Sequence, residues 1–177
     1  MQTHLIVTVV GPDRIGIVNR VTKIIVAHMG NVEESRMARL GGEFAMLIYL
    51  SIDAQQEMAL KEELLTLEDD GFQVFMHESD GGPSEQFKGW VPYTIVINGA
   101  DHEGIVHQIT HHLSKKGISV ESMDTNTVTA PMSGTILFNM EAVIVVPPDV
   151  KVQKWRDHLE DICNHLNVNL EISPYKS

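Results

Sequence analysis

The chain has 177 residues, 43% hydrophobic and only 6% aromatic, with 13 Lys+Arg against 24 Asp+Glu and a formal charge of −11. That acidity is spread over both halves (6 − 13 = −7 for residues 1–80, 7 − 11 = −4 for 81–177), which argues against direct nucleic-acid binding, a process that runs on Lys/Arg and counterion release. No apolar run approaches the roughly 18 residues that span a bilayer, and a single cysteine, Cys163, rules out an intrachain disulfide and Cys-rich zinc sites.

In chain order, the β-branched run His4–Val10 predicts a buried strand ended by Gly11-Pro12. Ile17, Val18, Val21, Ile24 and Ile25 recur at helical spacing, and Gly30 supplies a stop. Two strands, Val32–Leu40 and Phe44–Ile52, flank a Gly41-Gly42 hairpin turn. A polar helix with Leu60, Leu64 and Leu67 on one face follows, and the strand Phe72–His77 closes the unit. Ser79–Glu85 has linker composition. Beyond it come a strand at Tyr93–Asn98, a helix at Ile105–Lys116 and a hairpin turning near Pro131–Gly134. The strand Ile136–Val145 alternates, with Phe138, Met140, Ala142 and Ile144 on one face. A helix carrying Val152, Trp155, Leu159, Ile162 and Leu166 inward precedes the last strand, Val168–Ile172. No basic n-region or long apolar stretch opens the chain at Met1–His4, so a cytoplasmic protein without membrane contact is the expectation.

The two series of elements are copies. Gly11-Pro12-Asp13-Arg14-Ile15-Gly16-Ile17-Val18 lies over Gly99-Ala100-Asp101-His102-Glu103-Gly104-Ile105-Val106 at an offset of 99 − 11 = 88, half the chain. Gly30-Asn31-Val32 corresponds, with one extra residue, to Gly117-Ile118-Ser119-Val120. The expected fold class is α+β: two ferredoxin-like βαββαβ units in tandem, each an antiparallel sheet with two helices on one face. The units are placed at 1–79 and 92–177, with a linker over 80–91. Exposed sheet edges call for a covering partner, and a homodimer is expected.

Catalytic patterns are missing. There is no G-x-S-x-G elbow, phosphate loop or dinucleotide fingerprint, and Cys163 reads as a small buried hydrophobe. His107 and His111 are four apart and His102 and His112 lie nearby, but no Glu follows His107, and Asn19 and Lys23 occupy the matching places in the first copy. A solvated helix face is expected there, with no metal and no cofactor. The repeated loop-to-helix junction is more informative. Gly16 and Gly104 sit in the first helical turn, where Gly is about 1 kcal/mol worse than Ala, so a close approach to the backbone is expected. A helix N-terminus suits a carboxylate, Asp13 or Asp101 suits an ammonium, and Arg14 adds a cation, which together describe a pocket for a small zwitterion. The plainer alternative makes Asp13 and Asp101 N-caps and the glycines packing residues.

At these residues the chain resembles the ACT domain, a small regulatory module that typically binds amino acids. The matching motif is D-x-x-G-[I/V/L]-[V/L] opening the helix, followed by a Gly-containing turn into the second strand, and it occurs twice. Two such units alone, opened by Gly-Pro-Asp-Arg-Ile-Gly, resemble the glycine cleavage system transcriptional repressor group. That resemblance implies a non-enzymatic regulator that senses glycine and acts through a DNA-binding transcriptional activator. It also nominates ligand residues, with the first loop of one unit facing the start of the second strand in its partner: Gly11, Asp13, Arg14, Gly16, Ile17 and Asn31, and Asp101, His102, Gly104, Ile105 and Ser119. Ser119 in place of Asn31, and Glu103 in place of Ile15, imply that the two sites differ. The competing expectations are a regulatory subunit acting in trans on an amino-acid metabolic enzyme and an acylphosphatase-like hydrolase using Arg14.

Overall fold

The computed structural model describes residues 1–79 and 87–175, so most of the expected linker, residues 80–86, lies outside the described residues. The chain divides into two compact units, Met1–Gly82 and Pro83–Ser177. The N-terminal unit runs β1 (Gln2–Pro12), α1 (Ile17–Ala27), β2 (Asn31–Leu40), β3 (Glu43–Asp53), α2 (Glu57–Leu65) with a 3-10 turn (Thr66–Asp70), and β4 (Gln73–Ser79). The C-terminal unit runs β5 (Val91–Ala100), α3 (Ile105–Lys115), β6 (Ser119–Thr129), β7 (Ile136–Val146), α4 (Val152–His165) and β8 (Val168–Pro174). Sheet orders are β2-β3-β1-β4 and β6-β7-β5-β8, with every neighbouring pair antiparallel. This is the βαββαβ arrangement twice over. Among the described residues no helix is long and apolar enough to cross a membrane.

Strand alternation builds each core. Leu5, Val7 and Val9 of β1 and Met46, Ile48 and Leu50 of β3 are buried against Val21 and Ile25 of α1 and Leu60 and Leu64 of α2. In the second unit Ile95, Ile97, Met140, Ala142 and Ile144 meet Ile109, Leu113, Trp155 and Leu159. Cys163 lies in this core, and burial pushes its thiol up to about 11. Both second strands carry a bulge at the same place, between Val32 and Glu34 and between Val120 and Ser122.

The helix stops correct the sequence reading. Gly30 does not end α1; Met29 does, in the left-handed conformation at φ 59, with Gly117 (φ 68) as its counterpart after α3. Gly30 and Ile118 are equivalent, their N–H groups donating to Ile25 O at 2.9 Å and Leu113 O at 3.0 Å. No extra residue is inserted, and the offset of 88 runs unbroken into the second strand. A Cβ on Gly30 would fall 2.8 Å from Ile25 Cγ2, which explains the glycine there by contact.

Candidate functional site

The junction between the first strand and first helix is built the same way in both units. A Cβ on Gly11 would stand 2.6 Å from Phe72 Cδ1, and one on Gly99 would stand 2.7 Å from Val168 Cγ1 and 2.9 Å from Asn167 O. These two glycines therefore let β4 and β8 pass close beside the ends of β1 and β5. One step on, the Asp13 N–H donates to Gly42 O (3.3 Å) and the Asp101 N–H to Ile136 O (2.9 Å), tying each loop to its hairpin.

Gly16 and Gly104 are N-cap residues at φ 92 and φ 90, not first-turn residues. No atom lies within 4 Å of where a Gly16 Cβ would be, and only Gln108 Nε2, at 3.8 Å, near that of Gly104. The backbone conformation, not a close neighbour, demands glycine here. Asp13 and Asp101 are not caps either: neither helix has a side-chain cap bond. The caps being glycines, the Val18 and Asn19 N–H groups of α1 have no backbone acceptor among the described residues.

The side chains around this shared backbone differ. In the first unit Asp13 Oδ2 accepts from Arg39 Nη1 at 3.0 Å, and the Arg14 guanidinium carbon sits 5.8 Å from the centre of the Phe72 ring. Asp13 is thus engaged by a cation of its own chain. In the second unit Thr127 occupies the register position of Arg39, each opposite a phenylalanine (Phe138 and Phe44), and no ion pair forms at Asp101 among the described residues. His102 stands where Arg14 does. Its Nε2 lies 2.8 Å from Leu166 O and its Nδ1 3.1 Å from Glu103 O. Carbonyls only accept, so both contacts are satisfied together by the doubly protonated ring, and the Leu166 bond followed by the Glu103 bond raises the His102 pKa. Ile17 and Ile105 point into the cores and offer only backbone to a ligand.

Gly11, Asp13, Arg14, Gly16 and Ile17 come together at one end of their sheet, and Asp101, His102, Gly104 and Ile105 do so in theirs. Asn31 and Ser119 do not join them. Asn31 pairs with Ser51 whereas Gly11 pairs with Phe44, seven residues away along β3, or about 23 Å at strand rise. Ser119 pairs with Val145 and Gly99 with Phe138, the same separation. Ser119 instead lines an open cleft of about 430 Å³ with Phe87, Trp90, Ser114 and Ile118.

The histidines part company with expectation at one residue. His107 and His111 are exposed, their rings stacked 5.8 Å apart, but His112 is buried, with Nε2 3.3 Å from Trp155 O. Its heptad-like position between Ile109 and Leu113 turns it toward α4, not toward solvent. Among the described residues no group of three or more His, Cys, Asp or Glu side chains is placed to hold a metal.

Arg39, Phe72, Phe87 and Trp90 are the site neighbours that sequence reasoning missed. Arg39 comes from β2 and Phe72 from the turn just before β4, and both need the fold to be seen. Phe87 and Trp90 carried a signal: two large aromatics inside a supposed linker of an aromatic-poor chain.

Residues 3–77, nearly all of the first unit, match the ACT domain family, and the second unit repeats the same βαββαβ fold and junction. Over 174 residues the chain is 22% identical to the glycine cleavage system transcriptional repressor of Escherichia coli (strain K12), covering 97% of this chain and 90% of that protein. Its fold matches the crystal structure of an unknown protein from Galdieria sulphuraria (TM-score 0.83, 29% identity, 99% and 100% of the two chains). It also matches that of a candidate glycine cleavage system transcriptional repressor (TM-score 0.71, 20% identity, 100% and 99%).

Proposed function

We propose that this chain is an amino-acid-responsive regulator of glycine cleavage gene expression that works through a protein partner and not through DNA. The observation that carries this reading is the likeness to the Escherichia coli repressor along nearly the whole of both chains, together with the ACT match in the first unit. The formal charge of −11 supports indirect action, since it repels nucleic-acid phosphates as a whole. The loop residues and the second-strand residues that the resemblance nominates lie at opposite ends of each sheet, which supports a ligand held between two copies of the chain. Two copies of the chain associated as a homodimer supply such a pairing.

Glycine is the favoured ligand, and a DNA-binding transcriptional activator the favoured partner. Calorimetry with glycine, serine and the branched-chain amino acids tests the first. A ligand that binds only the folded state raises the melting temperature, so no heat and no shift at millimolar concentration would overturn the sensor reading. Co-purification tests the second: an activator supports it, whereas a metabolic enzyme would redirect the role to enzyme regulation in trans.

A further inference from the structure

The cleft at Ser119 has a composition that the ligand motifs do not account for. One wall is the aromatic pair Phe87 and Trp90, edge to face with ring centroids 4.9 Å apart, on the segment just before β5. The opposite side is the last two turns of α3, where the Thr110 hydroxyl is turned back onto Val106 O (2.8 Å) and His107 O (3.2 Å) and so is not free for a ligand. Ile118 and Val120 add aliphatic surface. The Ser114 and Ser119 hydroxyls and the Trp90 indole N–H make no hydrogen bond among the described residues. The cleft is therefore mainly apolar with a few uncommitted polar groups, and it is open to solvent.

The first unit lacks this wall. At the offset of 88, Gln2 stands at the place of Trp90, Gly30 at that of Ile118 and Val26 at that of Ser114. A volume of 430 Å³ is several times what glycine needs, so glycine alone leaves most of the aromatic wall wet.

The geometry points to this cleft as the seat of an apolar side chain, with Trp90 and Phe87 as specificity-determining residues that make the second unit's half-site select an amino acid with a large aliphatic or aromatic side chain. This rests on the amino-acid-sensing reading and narrows it. The Ser114 and Ser119 hydroxyls and the indole N–H take the ligand's carboxylate, and the side chain covers the rings.

Trp90 reports directly, because the other tryptophan, Trp155, is fully buried in the core. The full-length protein is titrated with leucine, phenylalanine and glycine while tryptophan emission and heat are followed. Leucine or phenylalanine is expected to shift the emission and saturate, and Trp90→Ala, followed by heat, to weaken that binding about tenfold. Ser114→Leu, which fills the cleft from an exposed helix position, gives the same loss without touching the aromatic pair. Binding of glycine with no response to the larger amino acids overturns the cleft and leaves the sensor standing. Leucine or phenylalanine binding that both variants leave unaltered also overturns it, and silence toward every amino acid overturns both.

Discussion

Across the outer sheet faces, one register row reads Arg36, Leu47, Thr8 and Phe75 in the first unit and Asp124, Glu141, Val96 and Glu171 in the second. Leu47 and Phe75 are 46% and 63% exposed, so the first face is an apolar patch beside a cation. The second puts Asp124 directly opposite Glu141, a like-charge pair that costs stability and keeps the face wet. Yet the backbones beneath agree in detail: glycine at 11 and 99, a left-handed glycine cap at 16 and 104, and a bulge early in β2 and β6. Positions that set the chain path have stayed, and positions that meet the outside have diverged. Two copies of one scaffold therefore present two different surfaces and two different loop chemistries.

The largest test of the shared scaffold is at the close-packed glycines. Gly99→Ala is expected to cost about 2–3 kcal/mol, because its obstacles include the Asn167 carbonyl and the Val168 Cα, both 2.9 Å away and both backbone. Gly11→Ala is expected to cost somewhat less, about 1–2 kcal/mol, since its backbone obstacles, Phe72 Cα at 3.0 Å and Gly71 O at 3.1 Å, stand slightly farther off. Urea melts of the two variants check the order. Next come Gly16→Ala and Gly104→Ala, each expected to cost about 1–2 kcal/mol for the left-handed conformation. Both sites are open, so the two losses should match; a clear difference would mean that something approaches one backbone and not the other.

How far this was legible from sequence differs by feature. Element order and the tandem repeat were readable because Leu5-x-Val7-x-Val9 and Leu60, Leu64 and Leu67 carry the periods of half-buried strand and helix. The Gly41-Gly42 turn was readable because both residues must take positive φ (60 and 90) in a two-residue hairpin. The role of Gly16 was misread: a glycine needed for φ and one needed for space look alike in sequence, and among the described residues Gly11, Gly30 and Gly99 are the second kind. Of the candidate site, the loop residues were found. Their partners Arg39, Phe72 and the Leu166 carbonyl were not, since each is brought in by the fold from a distant part of the chain.

Met29 offers a test of smaller size and opposite sign. It holds φ 59 with a side chain that is 72% exposed, where the second unit uses Gly117. Met29→Gly is expected to stabilise the first unit by about 0.5–1 kcal/mol, the relief of a left-handed L-residue less the greater chain entropy of glycine. Gly117→Ala should destabilise the second by a similar amount. Melting temperatures of both variants would show whether the helix stop is one device in two sequences.

The smallest expected effects come from two histidines of the second unit that respond to pH with opposite signs. His102 is held protonated by the Leu166 and Glu103 carbonyls, so its folded pKa lies above the ordinary 6.5. Its contribution is complete below pH 6.5 and fades as pH rises through the folded value. His112 is pushed the other way by its burial, which outweighs the opposing bond to the Trp155 carbonyl and is aided by smaller repulsions from Lys116, His158 and His111. The stability it allows above pH 6.5 is lost as pH falls through its depressed folded value, because the unfolded chain takes up the proton first. Between pH 5 and 8, His102→Gln should therefore remove a stabilisation seen only on the acid side, and His112→Gln should flatten an acid loss. The first unit has Arg14 and Ile24 at the two equivalent positions, neither of them a histidine. Its melting should then be indifferent to both substitutions, and any coupled shift in the first unit's transition would show that the two copies do not unfold independently.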